Sequence, residues 1–303
     1  MENNIVINVV KAGSGSFYVM NCVFFGIISS SYAALRSDTL CTHLLVSDCL
    51  FHSCDNTNSA ARGGAIYSLS LFTNVSKSCF FRCRTFGTGS RGSTIGTGSN
   101  TYPSVIMSSF VDCPNSSTSL DSDCLCLEGK GQFCMNLNFS KNVIKSVGGP
   151  RCLYAGTGYV ILKFCVHSNL KSESAFGFRT YTGSQDISYC VVVNNTITRG
   201  LIWVYQCHSV VHNSFFDQNG NIQMIFDFGS GTVSFYYCYF EYPDQKSSSV
   251  SKVENCYFGN DNTLAPVFDI YRSRECNGEL MITYAISRRK TVFVLFCICL
   301  IQL

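Results

Sequence analysis

Charge is scarce in this chain. Lys, Arg, Asp and Glu make up 14% of its 303 residues and the net charge is +3. No basic block stands out, so the electrostatic footprint of a nucleic-acid binder is missing. Stretches of ten residues with 3.6 periodicity, rich in Ala, Leu, Glu and Lys, are also absent, which excludes a helical solenoid. Ladders of leucine are absent too, and with them the leucine-rich repeat. There are only five prolines, and no linker-like stretch divides the chain, so one elongated domain is expected rather than two globular ones. The first residues show no basic and apolar leader before a cleavage site. The expectation is that either the true start lies upstream or the protein never enters the secretory route.

What the chain has is a repeat. A frame Val-x-x-(Cys/Ser)-x-Phe-x-x-(Asn/Cys) recurs between residues 19 and 261, anchored at Phe24, Phe51, Phe80, Phe110, Phe139, Val166, Val192, Phe216, Phe240 and Phe258. Steps between anchors run from 24 to 30 residues, with a last step of 18. Five residues before each anchor stands an apolar residue, such as Val19, Val46, Val75, Val105, Cys134 or Ile161. Two before it the residue is usually Cys or Ser, as at Cys22, Cys49, Ser78, Ser108, Cys190, Ser214, Cys238 and Cys256, with Leu137 and Phe164 as departures. Three after it come Cys54, Cys83, Cys113, Asn142, Asn169, Asn195 and Asn219. A period in the twenties is the mark of a solenoid, each repeat stacked on the last.

The local period decides which solenoid. Apolar and polar positions alternate near the anchor, as on a strand with one buried face. The step from minus-five to minus-two is odd, so the chain must bend between them, as at the corner of a coil. Strand and turn formers (Phe, Val, Ile, Tyr, Ser, Asn, Gly) dominate. The fold expected is a right-handed parallel β-helix of nine to ten coils. Coils lie about 4.8 Å apart, so the anchors form one interior stack, each ring contributing about 1.5–3 kcal/mol by burial. Asn at plus-three suits the turn and an amide ladder. Why Cys takes that column in the N-terminal half is not explained by the sequence.

The 19 cysteines fall largely on inward columns, where Cys behaves as a small hydrophobe. Neighbours in one column have parallel Cβ vectors, which do not converge as a disulfide requires. Mostly reduced, buried thiols are expected. Cys124-x-Cys126 and Cys49…Cys54 lack the second pair of a structural zinc site, and neither metal nor cofactor is expected.

Residues 1–18, with Ile5, Val6, Ile7, Val9 and Val10, read as part of an earlier coil. Residues 19–261 carry the repeats and 262–290 read as a C-terminal cap. Arg288-Arg289-Lys290 then precedes Thr291–Leu303, an apolar tail shorter than the ~20 residues of a full span. The tail reads either as a cap strand or as a short membrane anchor. Asn-x-Ser/Thr glycan acceptors occur at Asn74, Asn115, Asn138 and Asn194.

Gly63-Gly64-Ala65-Ile66, followed by Phe-x-x-Asn frames complete at Phe139–Asn142 and Phe216–Asn219, resembles the polymorphic outer-membrane protein repeats. Gly148-Gly149 is a partial echo of the tetrapeptide. The resemblance covers residues 19–261. No outer-membrane β-barrel translocator follows, and the cysteine-rich repeats with a short apolar C-terminus look closer to the related surface-protein families of parasitic protists. The resemblance implies a non-enzymatic, adhesin-like role at a cell surface, with a host-surface protein or glycan as partner. A β-helix also suits a carbohydrate-active enzyme, a polysaccharide lyase or hydrolase, which needs paired carboxylates or an acid cluster with a cation on one face. Asp48, Asp112 and Asp217 occupy different columns, and no second acid is expected in register with any of them. Asp121-x-Asp123 with Arg91 is the least poor catalytic candidate, and a solvated turn after Pro114–Ser119 explains it better. The third possibility is an inert structural repeat or gene-fragment product. For binding, the position before each anchor turns aromatic in the last coils. Phe215, Tyr239 and Tyr257, with Tyr237 beside them, form an aromatic ladder that reads either as a row covered by 262–303 folding back as the cap or as an open interaction site, and the exposure of Tyr239 and Tyr257 decides.

Overall fold

The computed structural model describes residues 4–6, 8–58, 62–86, 92–114, 123–220, 223–227, 230–241 and 250–259. The described residues form strands and turns with no helix, and every strand pairing is parallel. The architecture is a parallel β-solenoid, as the repeat predicts. One face, the anchor sheet, stacks eleven short strands from Asn4–Val6 to Tyr257–Phe258. A second sheet holds the longer strands, among them Cys41–Ser47, Phe72–Ser76, Tyr102–Ile106 and Gly131–Met135. Two-residue strands such as Asp55–Asn56 and Arg84–Thr85 close a third side. The described residues make about seven turns, fewer than the nine to ten expected.

The corners have a backbone cause. With His167 at the sixth anchor level, opposite Phe139, the residue three before the anchor is left-handed in all ten repeats, with φ from 47° at Lys77 to 56° at Phe164 and Tyr189. Two residues after the anchor a second left-handed residue ends the strand at Gly26, Ser53, Arg82, Asp112, Lys141, Asn169, Asn194 and Gln218. Asn, Asp and Gly tolerate this conformation, while Met107 or Tyr189 adopts it at a cost of about 1–2 kcal/mol. The registered core on either side supplies that stabilisation.

The interior stack is physical. Ring centroids lie 4.4 Å apart for Phe24–Phe51, 5.0 Å for Phe51–Phe80, 4.8 Å for Phe80–Phe110 and 4.9 Å for Phe110–Phe139, all near parallel. Phe216, Phe240 and Phe258 continue it at 5.0 and 5.3 Å. The sixth anchor is a correction. Phe139 pairs with His167, while Val166 pairs with Asn138 on the outward row. Leu162, Cys165 and Leu170 therefore fill the columns assigned to Ile161, Phe164 and Asn169, and Asn169 sits at a corner. Apolar periodicity selected Val166 because a buried histidine breaks the pattern.

Cysteine and asparagine at plus-three do the same job. Asn195 Oδ1 accepts the Leu170 N–H at 2.8 Å, and its Nδ2 donates to the His167 carbonyl at 3.0 Å in the coil before. Asn142 bonds likewise to the Cys113 N–H and the Phe110 carbonyl. The Cys113 thiol accepts the Cys83 N–H at 3.3 Å and donates to the Phe80 carbonyl at 3.4 Å. Sulfur thus replaces an amide as the link between coils. Cys113→Ser, which keeps both bonds, should cost under about 1 kcal/mol, whereas Cys113→Ala orphans the Cys83 N–H and should cost about 1–3 kcal/mol. Urea unfolding of the two variants measures the difference, and equal costs would show that the bonds contribute nothing.

Fifteen described cysteines are free thiols, thirteen of them buried; Cys79 is disulfide-bonded. Burial raises the Cys83, Cys124 and Cys190 thiols well above the ordinary range, so these side chains are poor nucleophiles.

Candidate functional site

Two rows of side chains point outward and decide what the surface can do. On the anchor sheet, the row before each anchor runs Cys79, Ser109, Asn138, Val166, Val191, Phe215, Tyr239, Tyr257 in register. Phe215 and Tyr239 stack at 4.6 Å, and Tyr239 and Tyr257 at 5.5 Å. This is the aromatic ladder expected from the sequence, but it is not an open one. Phe215 and Tyr239 are buried, and with Val166, Val191 and Val193 they form a second apolar cluster outside the main core. Tyr257 is 40% exposed at the end of the row. Tyr237 is exposed at a left-handed corner and does not share the strand of Tyr239. A reading of alternation alone assumes that an outward side chain meets solvent, and here it does not.

The open row lies on the second sheet. His43 pairs with Phe72, Phe72 with Tyr102, and Gly131 with Tyr159; the register that pairs Ser104 with Phe133 places Gly131 next to Tyr102. His43 stacks on Phe72 at 4.9 Å and Phe72 on Tyr102 at 5.5 Å. Phe72, Tyr102 and Tyr159 are 42%, 39% and 50% exposed. A Cβ at Gly131 would lie 3.2 Å from the Tyr159 ring and 3.4 Å from that of Tyr102. Glycine here lets the two tyrosines lean toward each other. Sequence reading missed this row because it falls eight residues before the anchor level, outside a frame that starts at minus-five. The aromatics at 72, 102 and 159 are the signal that was available. The acceptor Asn74 is exposed on the same face, Asn138 is half-buried in the anchor sheet and Asn194 is exposed at a corner, donating to Asn169 Oδ1 at 2.6 Å. Asn115 lies outside the described residues.

Most carboxylates near the core belong to ion pairs. Asp123 is buried against Arg151 at 3.2 Å, with Trp203 4.6 Å from that guanidinium. Burial pushes the Asp123 carboxyl up, and Arg151 opposes the shift. Asp55 pairs with Arg84 at 3.0 Å and Glu128 with Arg62 at 2.9 Å. Asp123 is thus a structural partner of Arg151; Asp121 and Arg91, the rest of that candidate, lie outside the described residues. Asp217 is different. The register Phe215–Tyr239 and Phe216–Phe240 puts Glu241 on the next rung, about 4.8 Å along the axis. Burial and the neighbouring Glu241 raise Asp217 to about 6. This corrects the expectation that no second acid stands in register: steps of 24 residues carry Asp217 onto Glu241, a coincidence visible only once the coils are aligned.

Among the described residues no three His, Cys, Asp or Glu side chains converge as a metal site would require. Cys124 faces the core while Cys126 lies in the outward row beside Arg151. No described helix is long and apolar enough to cross a membrane; residues 262–290 and Thr291–Leu303, read as cap and tail, lie outside the described residues. The GGAI tetrapeptide is a close-packing device. Gly63 has φ 70°, and a Cβ at Gly64 would come within 2.4 Å of the Arg84 carbonyl oxygen. Gly92-Ser93-Thr94-Ile95 holds the same register, with Gly63 and Gly64 N–H donating to the Gly92 and Ser93 carbonyls. Further along, Gly148 and Gly149 stand at the levels of Gly64 and Ala65, one residue on from the pair, and Gly149 makes room for the His167 ring. No family model, no curated protein and no solved structure matches this chain.

Proposed function

We propose that the protein is a non-enzymatic, adhesin-like scaffold that presents an elongated face at a cell surface to a host-surface protein or glycan. The observation that supports this most is the exposed row Phe72, Tyr102 and Tyr159 on the second sheet. Large rings held half-exposed in line on a rigid sheet are costly in water and are what partner surfaces use as anchors. Because these rings stand outside the core, the triple variant Phe72→Ala, Tyr102→Ala, Tyr159→Ala should keep its unfolding midpoint. Binding of the full chain to an array of defined glycans and immobilised cell-surface proteins should fall at least tenfold in that variant. Unchanged binding would move the site elsewhere.

One observation favours a second reading, a carbohydrate-active enzyme: Asp217 and Glu241 are one coil apart with Asp217 raised to about 6. Retaining glycosidases hold their carboxyls about 5–5.5 Å apart. A screen for cleavage of acidic polysaccharides, repeated with Asp217→Asn, separates the two. Asp217 also makes a stability prediction. Its folded pKa is raised, so its favourable contribution is complete below pH ~3.8 and is lost as pH rises toward 6. Asp217→Asn should therefore match the parent near pH 4 and exceed it at pH 7 in thermal unfolding. Equal gaps at both pH values would show that Asp217 titrates normally.

A further inference from the structure

One ring of the open row differs from the others. His43, Phe72 and Tyr102 stack on one another, so each ring covers a face of the next and turns its edge to water. Tyr159 has Gly131 on the rung before it and Ser184 on the rung after, and neither carries a ring. Its Cζ lies 3.2 Å from where a Cβ of Gly131 would stand, less than the ~4.8 Å between rungs. A ring upright on the sheet would keep the full rung spacing. Tyr159 therefore leans across Gly131 and turns one face outward, and it is 50% exposed.

Charge and spacing narrow what fits this face. The strands Cys41–Ser47, Phe72–Ser76, Tyr102–Ile106 and Gly131–Met135 contain no Lys, Arg, Asp or Glu. Further along the same sheet Lys163 and Asp186 lie 3.0 Å apart and offset each other. An uncharged ligand suits such a surface. Strand Gly131–Met135 is paired on both sides, with Tyr102–Ile106 and with Pro150–Lys163, so a peptide cannot add to it as a further strand. Rungs repeat every ~4.8 Å, and an extended chain of β-linked pyranoses advances by about the same length per sugar. Sugars therefore stay in step with the rungs over the four steps from Tyr159 to His43. A pyranose with equatorial hydroxyls carries axial C–H bonds on both faces, and these pack on the negative face of an aromatic ring.

We propose that Tyr159, laid across Gly131, is the stacking site for one pyranose ring of a neutral, β-linked glycan whose neighbouring sugars run along the row past Tyr102 toward Phe72. The assignment rests on the second sheet being the binding face and narrows its partner to a glycan. The rim hydroxyls of the stacked sugar find hydrogen-bonding groups at Ser184, exposed on the next rung, and at Ser104, two residues along the strand of Tyr102. Glycine at 131 is the residue that makes the platform, since a side chain there would lift the ring.

The test is saturation-transfer NMR and titration of the full chain with cellohexaose and chitohexaose. Saturation should be strongest at the axial C–H protons of the sugar. Oligogalacturonate is the anionic control, because an acidic glycan would draw on Lys130, exposed at the turn before Gly131, and it should bind more weakly. Gly131→Val lifts the Tyr159 ring and suits a strand, so the unfolding midpoint should hold or rise while Kd rises about tenfold or more. Tyr237→Ala, exposed at a corner outside the row, should leave Kd unchanged. Should Gly131→Val fail to fold, Tyr159→Ala carries the same test. Absence of binding to both neutral oligosaccharides, tighter binding of oligogalacturonate, or unaltered affinity in Gly131→Val and Tyr159→Ala would each overturn the proposal. Array binding to proteins alone, lost in the triple variant, would overturn the glycan and leave the scaffold reading standing. Array binding that survives the triple variant would overturn both.

Discussion

Phe139→Ala should destabilise the protein by about 3–5 kcal/mol, the largest loss expected from any single truncation in the stack. Phe139 is fully buried at mid-solenoid, with Phe110 at 4.9 Å on one side and His167 at 4.7 Å on the other. Removing the ring opens a cavity bounded by two other rings. These are held by their own strand pairings and cannot collapse into it, so the loss of burial and the cavity add. Lys141, two residues away at an exposed corner, is the control, and Lys141→Ala should cost under about 0.5 kcal/mol. Urea unfolding followed by far-ultraviolet circular dichroism measures both. Similar small losses for the two would mean that the rings do not share one core.

Acid should weaken the protein through His167, and a variant without the imidazole should lose that sensitivity. His167 stands in the phenylalanine stack, fully buried, its ring against Phe139 and edge-on to Phe176 at 4.2 Å. Neither ring nitrogen has a hydrogen-bond partner. Burial alone lowers its pKa to about 3, because a protonated ring would have to lose its water with no partner to replace it. The folded pKa lies below the unfolded value, so the unfolded chain binds the extra proton between pH 6.5 and about 3. Stability is therefore full above pH 6.5 and falls by about 1.4 kcal/mol per pH unit through that window. His167→Leu keeps an apolar side chain in the stack and removes both unsatisfied nitrogens. The difference in unfolding free energy between variant and parent should widen as pH falls from 6.5 to 4. Parallel curves would show that His167 is hydrated or hydrogen-bonded in solution. Asp217 works in the opposite direction over part of the same range, so it is the difference between the two proteins that isolates the histidine.

The candidate site was far less legible than the core. Phe24, Phe51, Phe80, Phe110, Phe139, Phe216, Phe240 and Phe258 were readable because an inward column repeats one requirement in every coil. The corner between minus-five and minus-two was readable for the same reason, since an odd step must bend. Outward rows carry no such requirement. The position of Phe215 and Tyr239 before each anchor was correctly placed, yet alternation does not fix whether that row meets solvent, and both rings are buried. Phe72 and Tyr102 stand a constant eight residues before their anchors, as Tyr159 does before His167, but the frame was read only from minus-five and Val166 as the sixth anchor put Tyr159 out of step. His167 was missed because a period is found by its apolar members, and the coil that departs from the rule offered Val166 one residue away.

By itself the sequence determined the parallel solenoid, the aromatic stack and the burial of its thiols, because short-range alternation and a repeated spacing are properties of the chain. Only the tertiary structure decided that cysteine and asparagine link coils by equivalent hydrogen bonds and that His167 fills an anchor position. It also decided that Asp217 meets Glu241 and that one aromatic row is covered while another is open. Each of these depends on which residue of one coil lies above which residue of the next. That register is set by loops of unequal length, and summing them along the chain does not reveal which side chains end up 5 Å apart.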